Sequence, residues 1–280
     1  EETIERLKRV PHGIRIVLPK EEEKEVLLDE RLLATPTLAL ESCRMLAADM
    51  AATAVETLRD GIRVLEKYDP EIAARILEGE ETTDHFEDIL GTYLVKLGSR
   101  QIGESNSAET TELLRLIGDI ERIADHSVNI LESAEELREK ELQFSDKAKG
   151  ELAVLVAATK EILSLTMNAI STGDLHVAAK VEPLEEVIDD LKEALRTRHS
   201  VRLSQGNCSI ETGFVWSDLL TNLERISDHC SNVAGCLIEM TKHDALDLHD
   251  YLHRVKAGGM EFDDLYNAYK AQFALPAETK

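Results

Sequence analysis

The stretch IERIADHSVNI, residues 120–130, returns 103 positions later as LERISDHCSNV, residues 223–233. Glu-Arg-Ile-x-Asp-His-x-x-Asn therefore stands twice in one chain. Around the first copy, Leu113, Ile117, Ile120, Ala124 and Leu131 recur at helical intervals, which predicts one apolar stripe on an α-helix. Glu121 and Asp125 lie at the edge of that stripe and not on its far, solvated side. The same holds for Glu224 and Asp228 in the second copy.

Working outward, the repeat extends to the preceding helix. At an offset of 105, DPEIAARILEGEETTDHFEDIL (residues 69–90) lies without a gap on DLHVAAKVEPLEEVIDDLKEAL (residues 174–195). A change of two residues in a loop reconciles the two offsets. Thr35-Pro36 opens a long helical pattern, Asp69-Pro70 closes it and caps the next, and Ser107 is placed to cap a third. The series restarts at SDKAKGELAVL, residues 145–155, continues as one helix from Asp174 to about Arg202, and ends with the helix carrying the second copy. Long helices joined by short turns predict an all-α fold: two tandem three-helix bundles plus short C-terminal helices. The expected division is residues 1–34 as a lead-in with a short strand at GIRIVLP, 35–141 and 142–241 as the bundles, and 242–280 as an extension of one or two helices around Gly258-Gly259.

Composition agrees. The 280 residues are 43% hydrophobic but only 4% aromatic, and Ala, Leu, Ile and Glu dominate. The net charge of −23, with no run rich in Lys or Arg, disfavours nucleic acid and anionic lipid as partners and favours cations. No uninterrupted apolar run approaches the roughly 20 residues that span a bilayer, and no signal peptide is evident. Cys43, Cys208, Cys230 and Cys236 form no C-x-x-C pair, so reduced, partly buried thiols in a reducing compartment are expected. The opening EETIERLKRV lacks Met, as expected of a piece of something longer.

The repeat preserves an acid-x-x-x-acid pair in four places: Glu80 with Asp84, Glu121 with Asp125, Glu185 with Asp189, and Glu224 with Asp228. At this acidity chance alone yields about 11 such pairs in a chain of this length, so the information lies in their matched placement. Residues four apart lie about 40° apart around a helix, and each pair projects two carboxylates the same way. Arg122 and Arg225 can offset that charge, which is the ordinary reading of acids flanking a core. Four pairs in register instead favour hard divalent or trivalent cations, which take several carboxylate oxygens from different helices. His126 and His229 point about 100° away from the aspartates and are expected to cap the core edge or hydrogen bond behind the ligands. Asn129 and Asn232 continue the acid stripe, in place to orient ligands or water. Trp216 reads as core.

ERIADHSVN and ERISDHCSN, each paired with an upstream E-x-x-x-D helix, closely resemble the PhoU family of phosphate-uptake regulators over roughly residues 37–240. The resemblance implies two similar three-helix bundles, a regulatory role in phosphate transport without catalysis, and multinuclear metal clusters of iron, zinc, manganese or magnesium. Glu80, Asp84, Glu121 and Asp125 would serve one cluster, and Glu185, Asp189, Glu224 and Asp228 the other. Ala124 and Ser227 stand where many members carry glycine. LLDERLLATPTLALESCR (residues 27–44) together with LGTYLVKL (residues 90–97) looks like the PhoU-like C-terminal region of bacterial sodium/phosphate cotransporter-related proteins. That narrower resemblance implies a domain on the cytoplasmic side of the membrane, following a transporter domain of the same polypeptide. A stand-alone PhoU-type regulator is the alternative, and homo-oligomerisation is left open. A carboxylate-bridged di-iron enzyme would be an acid-lined bundle too, but it needs Glu-x-x-His, and none of the nine histidines has Glu three residues before it.

Overall fold

The computed structural model describes residues 28–242 and 260–277. The strand expected at GIRIVLP and any helix before Gly258 lie outside these residues. After a short 3-10 turn, Glu30–Ala34, come eight α-helices among the described residues: α1 (Pro36–Glu66), α2 (Pro70–Gly98), α3 (Glu104–Glu139), α4 (Asp146–Thr172), α5 (Leu175–Ala178), α6 (Val181–Ser204), α7 (Ile210–Lys242) and α8 (Met260–Gln272). Helices α1, α2 and α3 pack on one another as the first bundle, and α4, α6 and α7 as the second. The expected all-α architecture is the one observed.

Local chemistry sets most helix ends. Asp69 accepts from the Glu71 amide at 2.9 Å and Pro70 takes the first turn of α2, where its missing N–H costs nothing. Ser145 accepts from the Ala148 amide and caps α4, and Gly173, at φ 64°, ends it in the left-handed conformation that glycine adopts freely.

Two boundaries differ from the sequence expectation. Helix α3 begins at Glu104, three residues before Ser107, because Gly103 at φ 81° turns the chain and Glu104 lies at the positive end of the helix dipole. The single helix expected from Asp174 is broken into α5 and α6 around Ala179 and Lys180. Pro183 explains the break: it has no N–H for the Ala179 carbonyl, and its ring collides with that carbonyl in a continuous helix.

One apolar core runs through both bundles, including Leu40, Met50 and Leu58 of α1, Phe86 and Leu94 of α2, Ile117, Ile120 and Ala124 of α3, and Ile162, Ile188, Leu219 and Ile226 of the second bundle, and a smaller cluster of Val64, Ala73, Ile76, Leu131 and Ala134 lies beside it. Helices α1 and α2 approach closely at Gly79, where an added Cβ would lie 2.1 Å from Thr57 Oγ1. Helix α4 is long and apolar enough to cross a membrane by length and composition. Lys160 and Glu161 interrupt its apolar run, and Leu155, Ala158, Ile162 and Leu163 face the bundle core. Trp216 is buried as expected, edge-on to Phe144. Helix α8 packs on α6, where Tyr266 and Lys270 both donate to Asp190.

The bundles meet where α3 crosses α7. His126 of α3 pairs with Asn222 of α7, and His229 of α7 with Asp119 of α3, so the two helices run antiparallel about a midpoint between the histidines. Asp119 and Asn222 are themselves related by the 103-residue offset, which makes the joint nearly self-symmetric.

Candidate metal centre

In the first bundle, Glu80 and Asp84 come from α2 and Glu121 and Asp125 from α3, with Ile117, Ile120 and Ala124 buried beside them to fix how α3 faces its neighbours. The four acids feel one another. Burial pushes the Glu80 carboxyl up from its ordinary value, and the charges of Asp84 and Asp125 push it further. Burial likewise raises Glu121; Arg122 opposes that, while Asp125, Glu87 and Asp84 add to it. The nearby cation is Arg122, whose Nε lies 3.5 Å from Glu121 and whose Nη1 lies 3.6 Å from Asp125. Its side chain is 60% exposed, so its charge sits in water at the rim of the site.

In the second bundle, Asp189, Glu224 and Asp228 converge in the same way. Burial raises Asp228, reinforced by Glu224, and burial raises Asp189 against the pull of Lys192. Here a second cation enters from inside: Lys192 Nζ lies 2.7 Å from Glu224 Oε1 and 3.8 Å from Asp189 Oδ1. Arg225 takes the rim position, 3.8 Å from Glu224 and 3.4 Å from Asp228. Glu185 gathers with Glu182 and Glu186, their carboxylate oxygens within 4.8 Å of one another, and Glu182 is buried and accepts a hydrogen bond from Ser231.

The two arginines that the ordinary reading sets against the acids lie at the rim in both bundles. The histidines do not lie behind the acids. Their rings stack on each other at 5.5 Å across the joint, each bonded through Nδ1 to the opposite helix, at 2.9 Å for His126 and 2.8 Å for His229. Asn232 donates to Asp119 at 3.0 Å and Asn129 lies 3.5 Å from His126, so both asparagines serve the joint and not the acid stripe. The reason is the drift of about 40° every four residues: eight positions after Glu121 the helix surface has turned toward the other bundle. Sequence reasoning also passed over Glu87 and Lys192, which the 105-residue offset places on each other. It passed over Asp119 and Asn222 as well, which the 103-residue offset would have paired.

The donor set of the first bundle consists of carboxylate oxygens that burial and mutual repulsion leave short of positive charge, which fits a hard cation. The second differs, because an ammonium already lies against its most buried acid. Cys43 and Cys230 are buried, with thiols pushed up to about 12 by that burial, which disfavours nucleophilic or soft-metal chemistry at those two.

A protein-family profile described as the PhoU domain matches the chain twice, at residues 47–134 and 153–237. Among curated proteins, the chain is 24% identical over 204 residues to "Phosphate-specific transport system accessory protein PhoU homolog 1" of Thermotoga maritima, covering 72% of this chain and 86% of that protein. It is 23% identical over 227 residues to "Phosphate-specific transport system accessory protein PhoU" of Escherichia coli, covering 81% and 90%. Among solved structures, the crystal structure of PhoU from Pseudomonas aeruginosa superposes with a TM-score of 0.67 at 20% identity, covering 73% of this chain and 98% of that one. The phosphate transport system regulatory protein PhoU from Streptococcus pneumoniae gives 0.66 at 19%, covering 76% and 100%. At these identities the structural likeness shows the fold, and the doubled profile match, spanning both copies of the acid motif, shows that this chain belongs to the PhoU family.

Proposed function

We infer that this chain regulates phosphate transport by binding, without catalysing a reaction, and that its partner is a membrane phosphate transporter met on the cytoplasmic side. The observation that carries this reading is the PhoU match at 47–134 and again at 153–237, each segment including one α2-type and one α3-type acid pair. The relatives are named as accessory or regulatory proteins of phosphate transport systems, which supports a regulator over an enzyme and a PhoU-type body over a part of a sodium-coupled cotransporter. The net charge of −23 favours a protein contact over nucleic acid or anionic lipid.

Metal binding belongs to the same reading. Glu80, Asp84, Glu121 and Asp125 would hold a divalent or trivalent cation, or a small cluster of iron, zinc, manganese or magnesium. The bound metal would supply the positive charge that these acids lack and fix α2 against α3. The raised Glu80 and Glu121 support this: burial first, and the charges of neighbouring acids after it, make each anion costly, and a bound cation would offset that cost.

Phosphate uptake in cells lacking the chain tests the regulatory reading. The expected outcome is uptake that no longer falls when phosphate is plentiful, restored by the wild-type gene. Uptake that responds to phosphate identically with and without the chain would overturn it. Elemental analysis of protein purified without chelator tests the metal, with metal-free protein that refuses added metal as the negative result.

A further inference from the structure

Where the chain passes from the first bundle to the second, an open groove of about 1010 Å³ runs between the last turns of α1 and α3 on one side and the first half of α4 on the other. The link lines it as well: Glu141, at φ 51°, turns the chain in a conformation that glycine adopts more readily, and Leu142 returns its amide to the Leu137 carbonyl at 2.9 Å. Helix α4 is apolar on two sides. Leu155, Ala158 and Ile162 face the core, while Leu152 and Val156 line the groove half-buried, beside the exposed Ala153 and Ala157. Of the helix's most apolar stretch, 39% is buried. A cation closes each end of the groove-facing stripe, Lys149 and Lys160, roughly 16 Å apart along the helix. From the opposite wall, Arg138 lies over the Tyr68 ring at 3.9 Å. Among the described residues neither Arg138 nor Lys149 has a carboxylate within ion-pair distance, and Lys160 reaches the exposed Glu66 at 3.9 Å. We propose that this groove seats an amphipathic helix of a protein partner, with an apolar stripe of about three turns and an acidic residue near each end of it. The proposal rests on the partner reading above for whose helix this is, the phosphate transporter's.

The physical argument is one of shape and charge. Small-molecule sites hold about 300–1,000 Å³ and close over their ligand; this groove lies at the top of that range and stays open along its helices. A helix laid beside α1 and α4 buries its apolar face against the uncovered stripe of α4, as in other helix-in-groove complexes. Three cations and two acids, Glu66 and Glu141, line the groove, in a chain whose net charge is −23. That local reversal of sign favours an acidic helix, repels a basic one and sets the register of the seated helix. It also separates the groove from other occupants. A second copy brings its own charge of −23, and an anionic bilayer is both flat and negative where the groove is concave. Because the walls come from both bundles, a seated helix holds one bundle against the other.

The test uses the full chain and a fluorescein-labelled helical peptide of about 18 residues, with leucines along one face and a glutamate at each end of that stripe. A twin peptide carries lysine at those two places. Fluorescence anisotropy is expected to show the acidic peptide binding about tenfold more tightly than its twin. Ala157→Trp, at an exposed place on the α4 wall, fills the groove and should weaken the acidic peptide about tenfold or more. Ala153→Trp serves if circular dichroism shows that the first variant does not fold. Lys149→Glu combined with Lys160→Glu should reverse the preference between the two peptides. Equal binding of both peptides, no binding of either, or binding that survives the filled groove would overturn the proposal. The regulatory reading would then still stand, because phosphate uptake in cells decides it separately. Three results would assign the groove to another occupant and overturn the proposal too: a wild-type dimer that Ala157→Trp splits, retention on phosphatidylserine vesicles that Ala157→Trp abolishes, or saturable binding of decanoate without binding of either peptide.

Discussion

The imidazoles of His126 and His229 stack with centroids 5.5 Å apart and planes inclined by 29°, one from each bundle, at the midpoint of the α3–α7 crossing. The repeat therefore does more than duplicate an acid site. The residue after each aspartate is turned about 100° from it, so one short motif serves two purposes: carboxylates toward the neighbouring helix of their own bundle, histidine toward the other bundle. A change in how α3 sits against α2 would reach the joint through four residues of a single rigid helix.

That joint is nearly symmetric, and between the two partners of its histidines the asymmetry is Asp119 opposite Asn222. Asp119 Oδ1 accepts from both His229 and Asn232, at 2.8 and 3.0 Å. Asp119→Asn keeps an acceptor oxygen but removes its charge, and hydrogen bonds to charged groups are worth more than neutral ones, so a loss of about 1 kcal/mol is expected. In a chain of this size that corresponds to a fall of roughly 2–4 °C in Tm. Asn222→Asp, which gives both histidines an acidic partner, supplies the complementary measurement. Melts in which Asp119→Asn is neutral would mean that the charge contributes nothing to holding the bundles together.

Glu151 of α4 is fully buried and held by two arginines of α6, Arg198 at 3.0 Å and Arg202 at 2.5 Å. Removing one partner of such a pair leaves the others charged and poorly solvated, at a cost of about 3–5 kcal/mol. Glu151→Ala is therefore expected to lose stability in that range in urea unfolding, and Glu151→Gln, which keeps an acceptor, to lose less. A loss below about 1 kcal/mol for the alanine variant, typical of a surface pair, would contradict this account.

Gly79 sits where α2 comes closest to α1. An added Cβ would lie 2.1 Å from Thr57 Oγ1, while that hydroxyl is itself bonded to the Thr53 carbonyl at 2.9 Å. Alanine favours a helix over glycine by about 1 kcal/mol, but overpacking costs roughly 1–3, so Gly79→Ala is expected to destabilise in the wild-type background. In a Thr57→Ala background the collision is gone and the helix preference alone remains, so the sign should reverse. Additive effects in the double mutant would show that the close approach is not what keeps glycine there.

The helical architecture was legible because the 3.6-residue period survives in both copies of the repeat, and because Asp69, Pro70 and Ser145 mark helix ends by their own chemistry. The break at Ala179 and Lys180 was legible too in principle, since Pro183 forbids a continuous helix, yet its gapless match to an unbroken α2 concealed it. The acid pairs could be found by spacing once the repeat matched their placement. The joint could not: which face of α3 meets the second bundle depends on how two bundles dock, and no period along one helix encodes that. Lys192 lay in plain view, but its importance appears only when its stem is seen to carry the ammonium onto Glu224.

The same charges give the metal-free protein an unusual response to pH. Glu80, Glu121, Asp189 and Asp228 all have carboxyls raised above their ordinary values, chiefly by burial. A carboxyl raised in the folded state takes up its proton before the unfolded chain does, so its contribution favours folding at low pH and is lost as pH rises through the folded value. His126 opposes this: burial lowers it, so below its ordinary value the unfolded chain binds a proton that the folded one resists. Burial lowers His199 in the same way, so the opposing contributions are separated by difference: between about pH 7.5 and 5.5, acidification of chelated protein is expected to raise the Tm of wild type relative to a variant that relieves the repulsion among the acids. Asp125→Asn removes a charge that raises both Glu80 and Glu121, so it should flatten this rise and make the metal-free form no less stable at neutral pH. Metal reverses the slope, because protons then compete with the cation for the same oxygens and its stabilisation is lost on acidification. Thermal melts of wild type and Asp125→Asn at both pH values, with chelator and with Mn2+, read all three effects. If the acids merely pair with Arg122, acidification breaks those pairs, and chelated wild type would lose Tm relative to Asp125→Asn at pH 5.5 and be indifferent to Mn2+.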